Sequence, residues 1–387
     1  MSKESNLRTS ITEKVLHFKQ PAGTSRGTYT TRRSWFITLT DENGRQGIGE
    51  CAPLQNLSCD DIPNYAEKLS TFCESFVSEA NLTPHSTLHT PRSNLLNFVD
   101  FCRDSAKLMP ASLALATPKV PPSSLLLPRE YPSMLFGLET ALLNLQVGST
   151  MLFDTPFGRG EEGIPINGLV WMGTFEEMRE RIEQKLAQGF HCVKLKIGAI
   201  DFNQELELLK KIRSRYSRQE IELRVDANGA FSPDDALQKL EQLSLYDIHS
   251  IEQPIRQGQW GDMAFLCRES PIPIALDEEL IGVNDSYTKA QLLDIIKPAY
   301  IILKPSLHGG MAGTKEWIDL ANDRHIGSWI TSALESNVGL NAIAHLTAYL
   351  YGPHIQRPQG LGTGQLFTDN IPMPLEIKGD KLWYKQG

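Results

Sequence analysis

The sequence predicts an α/β chain: a parallel (β/α) barrel preceded by a smaller domain of different texture. Two observations carry this. From Ile164 onward, short apolar runs ending in polar or glycine residues alternate with helical patterns, and seven or eight such units in about 200 residues suit a barrel rather than an open sheet. Before that point the cadence is absent, and a hairpin signal is followed by amphipathic helical stretches. The balance of 41% hydrophobic to 22% charged residues over 387 positions is that of a globular protein and leaves chain enough for two domains.

In chain order, residues 1–20 are polar with isolated apolar residues and carry no signal-peptide block. Residues 20–33 hold Arg26, Arg32 and Arg33 among Gly, Ser and Thr. They read as an exposed loop or, alternatively, as a lid over a site. Strands are expected at 34–39 and 47–51 around the turn Asp41-Glu42-Asn43-Gly44, and helices at 60–80 and 94–108. Residues 110–128 are rich in Pro, Ser and Leu and read as a loop. Met134, Leu135, Leu138, Ala141, Leu142 and Leu145 then share one helical face, and 154–163 reads as a linker at a domain boundary. Barrel strands are expected at 166–172, 192–197, 223–226, 250–252, 274–277, 300–304 and 327–331, with a weaker eighth near 355–361. Helices at 175–188, 203–216 and 233–245 fit between them.

Charge and cysteine usage narrow the function class. Lys plus Arg is 38 against 46 Asp plus Glu, a net charge of −8 with no basic run, which disfavours nucleic acid or an anionic membrane as partner. The six cysteines lack C-x-x-C spacing, so neither a zinc site nor a disulfide framework is expected. No stretch approaches the ~18 apolar residues of a membrane span. The expectation is a cytoplasmic protein acting on a small molecule, with a homo-oligomer allowed. The glycine-rich stretch 360–364 opens no βαβ unit, so it does not read as a dinucleotide site; backbone contact with a substrate carboxylate suits it better.

Active sites of parallel barrels lie at the C-terminal tips of the strands. The second strand offers Lys194 and Lys196, which point to one side while Val193, Leu195 and Ile197 point to the other. On a half-exposed strand the lysines would sit in water, but a strand covered by helices has no wet outer face, so they point into the barrel. The next three strands each deliver one acid at the tip: Asp226, Glu252 and Asp277, 26 and 25 residues apart. A single such acid is commonly a helix N-cap. Three in a row, one per strand–helix unit, converge on one point and repel unless a cation or protons intervene. An all-oxygen cluster favours a hard divalent ion, Mg²⁺ above all. Lys304 ends the sixth strand, four steps round from Lys196, so the two lysines face each other across the acids. That arrangement suits removal of a proton beside a carboxylate and stabilisation of the enediolate. A base lysine must be partly deprotonated, and neighbouring positive charge such as that of Lys194 favours that state.

The set Lys-x-Lys, Val-Asp-Ala-Asn, Ile-Glu-Gln-Pro, Asp-Glu and Lys-Pro-Ser, across 194–306, resembles the enolase superfamily, muconate-lactonizing subgroup. Gly-Ile-Gly-Glu-Cys-Ala-Pro-Leu, ending at Leu54, resembles the capping domain of that subgroup, and residues 331–339 are similar to its o-succinylbenzoate synthases. The resemblance implies a modified (β/α)8-type barrel over 156–366 and an α+β capping domain over 1–155, completed by a C-terminal tail at 367–387. It implies a lyase that carries out the Mg²⁺-dependent syn dehydration of 2-succinyl-6-hydroxy-2,4-cyclohexadiene-1-carboxylate to o-succinylbenzoate in menaquinone biosynthesis, through an enediolate, with Mn²⁺ able to replace Mg²⁺. By the same resemblance Asp226, Glu252 and Asp277 are the metal ligands. Lys196 is the base that then helps hydroxide leave, and Lys304 is the stabilising cation. Lys194, Arg224, Asn228, Glu278, Ser306, Ser332 and Arg26 are candidates for supporting the ligands or contacting substrate, with Arg26 meeting the succinyl carboxylate. The nearest alternative is an N-succinylamino acid racemase or another proton-abstracting enzyme of the subgroup, using the same metal and both lysines. A Schiff-base aldolase or a noncatalytic carboxylate-binding protein would use the lysines but gives no reason for the three acids.

Overall fold

A long antiparallel ribbon opens the described part of the chain. The computed structural model describes residues 7–24, 27–82 and 129–385. In it β1 (Arg8–Thr24) pairs with β2 (Gly27–Thr40), and β2 with β3 (Gln46–Cys51). Asp41 closes the β2–β3 turn by accepting from the Asn43 and Arg45 amides and from Arg45 Nε. The strands expected at 34–39 and 47–51 fall inside β2 and β3. Where an exposed loop or a lid is expected, residues 20–24 and 27–33 belong to β1 and β2. The sequence of β1 gives little apolar alternation because most of it is exposed and Leu16 is its one fully buried large side chain. The helix expected at 94–108, the Pro-rich stretch 110–128 and Arg26 lie outside the described residues.

Two helices cover this sheet, α1 (Tyr65–Leu82) and α2 (Pro132–Val147). Helix α2 lies almost on the backbone of β3: a Cβ on Gly49 would stand 1.8 Å from the Gly137 carbonyl oxygen. Glycine is needed there for close approach. Trp35, Ile37, Leu69, Phe76, Met134 and Phe136 fill the space between.

The barrel follows. After the short β4 (Ile164–Pro165) come β5 (Gly168–Val170), α3 (Phe175–Ala187), β6 (Cys192–Lys196), α4 (Phe202–Arg213), β7 (Glu222–Asp226), α5 (Pro233–Ser244), β8 (Ile248–Glu252), α6 (Trp260–Glu269), β9 (Ile274–Leu276), α7 (Ser286–Ile296), β10 (Tyr300–Leu303), α8 (Gly310–Asn322), β11 (Gly327–Ile330) and α9 (Asn337–Tyr351). Strands β5 to β11 form one parallel sheet in sequential order. The expected eighth element appears as single bridges, Ile166 to Gln359 and Thr331 to Gly360, which link the two sheet edges. Outward-facing Val193, Leu195, Leu223 and Val225 are buried against the helices, as a two-sided parallel strand requires. Each helix starts just beyond a strand tip, several with a side-chain cap: Thr174 with Glu177, Ser232 with Asp235, and Asp285 on the Thr288 amide.

The tail divides. Thr368 donates its amide to the His17 carbonyl of β1, and Phe18 bridges Phe367. Leu375–Lys378 forms β12, which turns into β13 (Lys381–Tyr384). β13 pairs with Ile164–Pro165, and Tyr384 Oη lies 2.8 Å from Thr150 Oγ1.

Two buried carboxylates join the N-terminal unit to the barrel at helix N-termini. Glu139 of α2 accepts from the Met311 and Ala312 amides of α8, and Glu50 of β3 accepts from Ser336 and from the Gly339 amide of α9. Burial pushes Glu139 up to about 8, against the opposing pull of those amides and of Arg129. The folded chain therefore keeps a proton that the unfolded chain releases near 4.5, so this group weakens the fold as pH rises from about 5 to about 8. Glu139→Gln, which keeps a carbonyl acceptor, should flatten the decline of the urea midpoint over that window. An unchanged slope of midpoint against pH would contradict the assignment.

Candidate active site

Strand register builds the site. Lys196 pairs with Asp226 and Asp226 with Glu252, so the tips of β6, β7 and β8 set these three side chains at one level. Asp277 follows β9 and Lys304 follows β10, extending the row round the barrel mouth. Asp226, Glu252 and Asp277 are all buried. Gln253, in a left-handed conformation (φ 39°), accepts from the amides of Asp277 and Glu279 at 3.2 Å each and fixes the backbone of the third acid.

The lysines lie directly on the acids. Lys194 contacts Glu252 Oε2 and reaches Asp226 Oδ2 at 3.1 Å; Lys196 meets Asp226 Oδ2 at 2.9 Å and Asn228 Oδ1 at 2.7 Å; Lys304 contacts Asp277 Oδ2. Lys196 and Lys304 thus flank the row from opposite ends, as the strand count predicts. Burial alone would lower the pKa of Lys194, but Asp226 and Glu252 carry it well above the ordinary lysine value. Lys194 is thus an ammonium set against two carboxylates. Lys304 is likewise raised, burial being outweighed by Asp277, Glu252 and Glu278.

The acids divide. Burial would raise Asp226, yet Lys194 and Lys196 hold it well below the usual carboxylate range. Asp277 is lowered in the same way, with Lys304 opposing burial. Glu252 is pushed far up by burial and by Asp226, and Glu278 rises to about 7 through burial and Asp277. Glu252 Oε1, Asp277 Oδ1 and Glu278 Oε2 are buried and find no donor among the described residues. Among those residues no three His, Cys, Asp or Glu side chains are already gathered at metal-binding spacing, and lysine ammoniums stand on the inner oxygens. By donor chemistry the acids still fit a hard cation: three buried carboxylates, two of them with an oxygen lacking any donor.

A cavity of about 480 Å³ opens over the tips. Lys194, Lys196, Asn228, Glu278, Lys304 and Ser332 line it together with the three acids. Asn228 donates to Glu278 Oε1 at 3.0 Å and so ties it to Lys196. Arg224 and Ser306 are among the predicted residues but do not line the cavity. Arg224 lies one layer deeper on β7, stacked 4.4 Å from the Trp329 ring centroid and bound to Glu222 and to the Pro358 carbonyl. Ser306 is fully buried and donates to Glu335.

Gly360, Gly362 and Thr363 of the glycine-rich stretch singled out in the sequence also line the cavity, and sequence reasoning missed other parts of the wall. Trp171 stands at the end of the first barrel segment, its ring 5.9 Å from Lys196 Nζ, and the same strand-tip rule would have found it. Tyr29, Leu54 and Leu57 reach over from the N-terminal unit and pack with Trp171 and Leu334. No local signal marks Tyr29 or Leu57, whereas Leu54 ends the capping-domain motif quoted above.

A model of the enolase C-terminal domain-like family matches residues 177–383. The o-succinylbenzoate synthase of Desulfotalea psychrophila is 47% identical over 379 residues, covering 98% of this chain and 99% of that protein. The crystal structure of MenC from the same organism aligns over 98% of this chain and 99% of that one with a TM-score of 0.78 and 41% identity. A dipeptide epimerase from Enterococcus faecalis, solved with Mg and a dipeptide, shares the fold at a TM-score of 0.75 and 18% identity, over 97% and 96% of the two chains. With near-complete coverage at that identity, and with acids and lysines at the expected barrel tips, the chain belongs to the o-succinylbenzoate synthases of the enolase superfamily.

Proposed function

We propose that the protein is a Mg²⁺-dependent lyase that dehydrates 2-succinyl-6-hydroxy-2,4-cyclohexadiene-1-carboxylate to o-succinylbenzoate, a step of menaquinone biosynthesis in the cytoplasm. The observation that carries this reading is the pair Lys196 and Lys304, set on opposite flanks of three buried acids beneath one cavity. Asp226, Glu252 and Asp277 would hold Mg²⁺, or Mn²⁺ in its place, and the ion would supply positive charge to the substrate carboxylate. Lys196, as the neutral amine, takes the ring proton next to that carboxylate. Lys304 stays an ammonium and balances the charge of the enediolate from the other flank. Hydroxide then leaves from the same face, and Lys196 returns its proton to it, so water departs and the ring becomes aromatic. Asn228 and Glu278 orient Lys196. Trp171 with Tyr29, Leu54 and Leu57 supplies the apolar walls that keep water from the intermediate.

The same reading takes residues 1–155, completed by 367–387, as a capping domain over the barrel of 156–366. The pairing of Thr368 with His17 supports the return of the tail, while β13 sits at the seam. Opposed lysines also suit two-sided proton transfer, so N-succinylamino acid racemisation is the second reading. Deuterium incorporation at the α-carbon of N-succinyl amino acids tests it beside the dehydration.

Turnover of the cyclohexadiene acid by the purified protein is the primary test. Lys196→Ala and Lys304→Ala should each lower kcat by about 10²–10⁴-fold or more. Lys304→Arg, which keeps the charge, should retain measurable activity, and Lys196→Arg, which cannot act as a base at neutral pH, should not. The reverse pattern would exchange the two roles. EDTA should abolish turnover and Mg²⁺ restore it. Adding MgCl2 should also raise the thermal midpoint of the wild type but not of Asp226→Asn. An equal rise in both would place ion binding elsewhere.

A further inference from the structure

Arg32 is a buried arginine outside the row of acids and lysines, and its contacts have a purpose beyond holding two domains together. It projects from β2, and its guanidinium donates to four backbone carbonyls. Two belong to the N-terminal unit, Pro53 and Ala52; two belong to the loop after β11, Leu334 (3.1 Å from Nε) and Ala333 (3.4 Å from Nη2). Both loops are walls of the cavity: Leu54 on one side, Ala333 and Leu334 on the other. Leu334 is held at φ 66°, which a leucine adopts only where its surroundings enforce it.

Buried acids frame the same guanidinium. Glu335 takes hydrogen bonds from Ser306, Ser332 and the Ala333 amide, and Glu50 takes them from Ser336 and Gly339. Glu335 and Glu50 are the anions that oppose the cost of burying Arg32. No carboxylate oxygen bonds directly to the guanidinium among the described residues, so its donors remain on the two loops. A planar fork can serve carbonyls from two segments at once; a lysine ammonium presents one point.

We propose that Arg32 is a positioning residue that sets the width of the substrate cavity by locking the 52–54 loop of the N-terminal unit to the 333–334 loop of the barrel. The ligand it acts on is the arm of the substrate that extends from the reacting ring between those loops. The inference rests on the active site proposed above, and its test has one arm that needs no turnover.

In Arg32→Lys and Arg32→Gln, Lys196, Lys304 and the three acids are untouched. KM should rise about tenfold while kcat stays within about threefold, the pattern of lost binding rather than lost chemistry. A merely structural role would lower the active fraction, so kcat would fall with KM unchanged, and that result would overturn the proposal. Hydrogen exchange supplies the second arm. In Arg32→Lys the amides of 332–334, Ala52 and Leu54 should exchange faster than in wild type, with β7 unchanged. Unchanged exchange at both loops would overturn the proposal whether or not the protein performs the proposed dehydration. If Arg32→Gln does not fold, the lysine variant decides on both arms.

Discussion

Three acids buried side by side at the mouth of a barrel are the constraint around which the molecule is arranged. Each carboxylate loses water on folding, and together they repel, so positive charge must reach them. Lys194, Lys196 and Lys304 provide it from strands that flank or neighbour the acids. The parallel barrel makes this arrangement accessible, because register alone sets Lys196, Asp226 and Glu252 level with one another. The apolar outer faces of β6 and β7, packed under helices, anchor the strands so that these tips hold their positions.

Charge at the barrel mouth also explains the N-terminal unit. A site that builds negative charge on a substrate must exclude water, and barrel strands alone leave the top open. Leu54, Leu57 and Tyr29 cover it, and they can do so only if the two units keep a fixed relation. Buried polar groups fix that relation: Glu50 and Glu139 on the amides that begin α9 and α8, and Arg32 on the carbonyls of two loops. Each satisfies backbone groups that would otherwise be buried without partners, which is why apolar contact alone would not replace them.

The barrel and its acids could be read directly from the sequence; of the cover, only the β2–β3 hairpin and the motif ending at Leu54 could. Asp226, Glu252, Asp277, Lys196 and Lys304 each close a short apolar run, and the strand rhythm repeats closely enough to give their angular order. Burial then fixed what spacing leaves open: Arg224 shares the inward face but stops a layer too deep, and Ser306 follows a tip yet turns to Glu335. β1 escaped notice because its exposed faces carry Thr, Lys and Glu in place of an apolar alternation. Arg32 stood in a stretch that resembled a surface loop, and nothing local distinguishes a buried arginine from an exposed one. Its partners lie about 20 and 300 residues away, a separation that single-sequence patterns do not carry.

The central claim is that the row of acids is a single cation site between two lysines. The most direct measurement is anomalous diffraction from crystals of the protein soaked in Mn²⁺. One peak bounded by Asp226, Glu252 and Asp277, with Lys196 and Lys304 on either side and Lys194 moved off the inner oxygens, is the expected result. Ammonium groups still resting on all three carboxylates, with the manganese bound elsewhere or not at all, would contradict it.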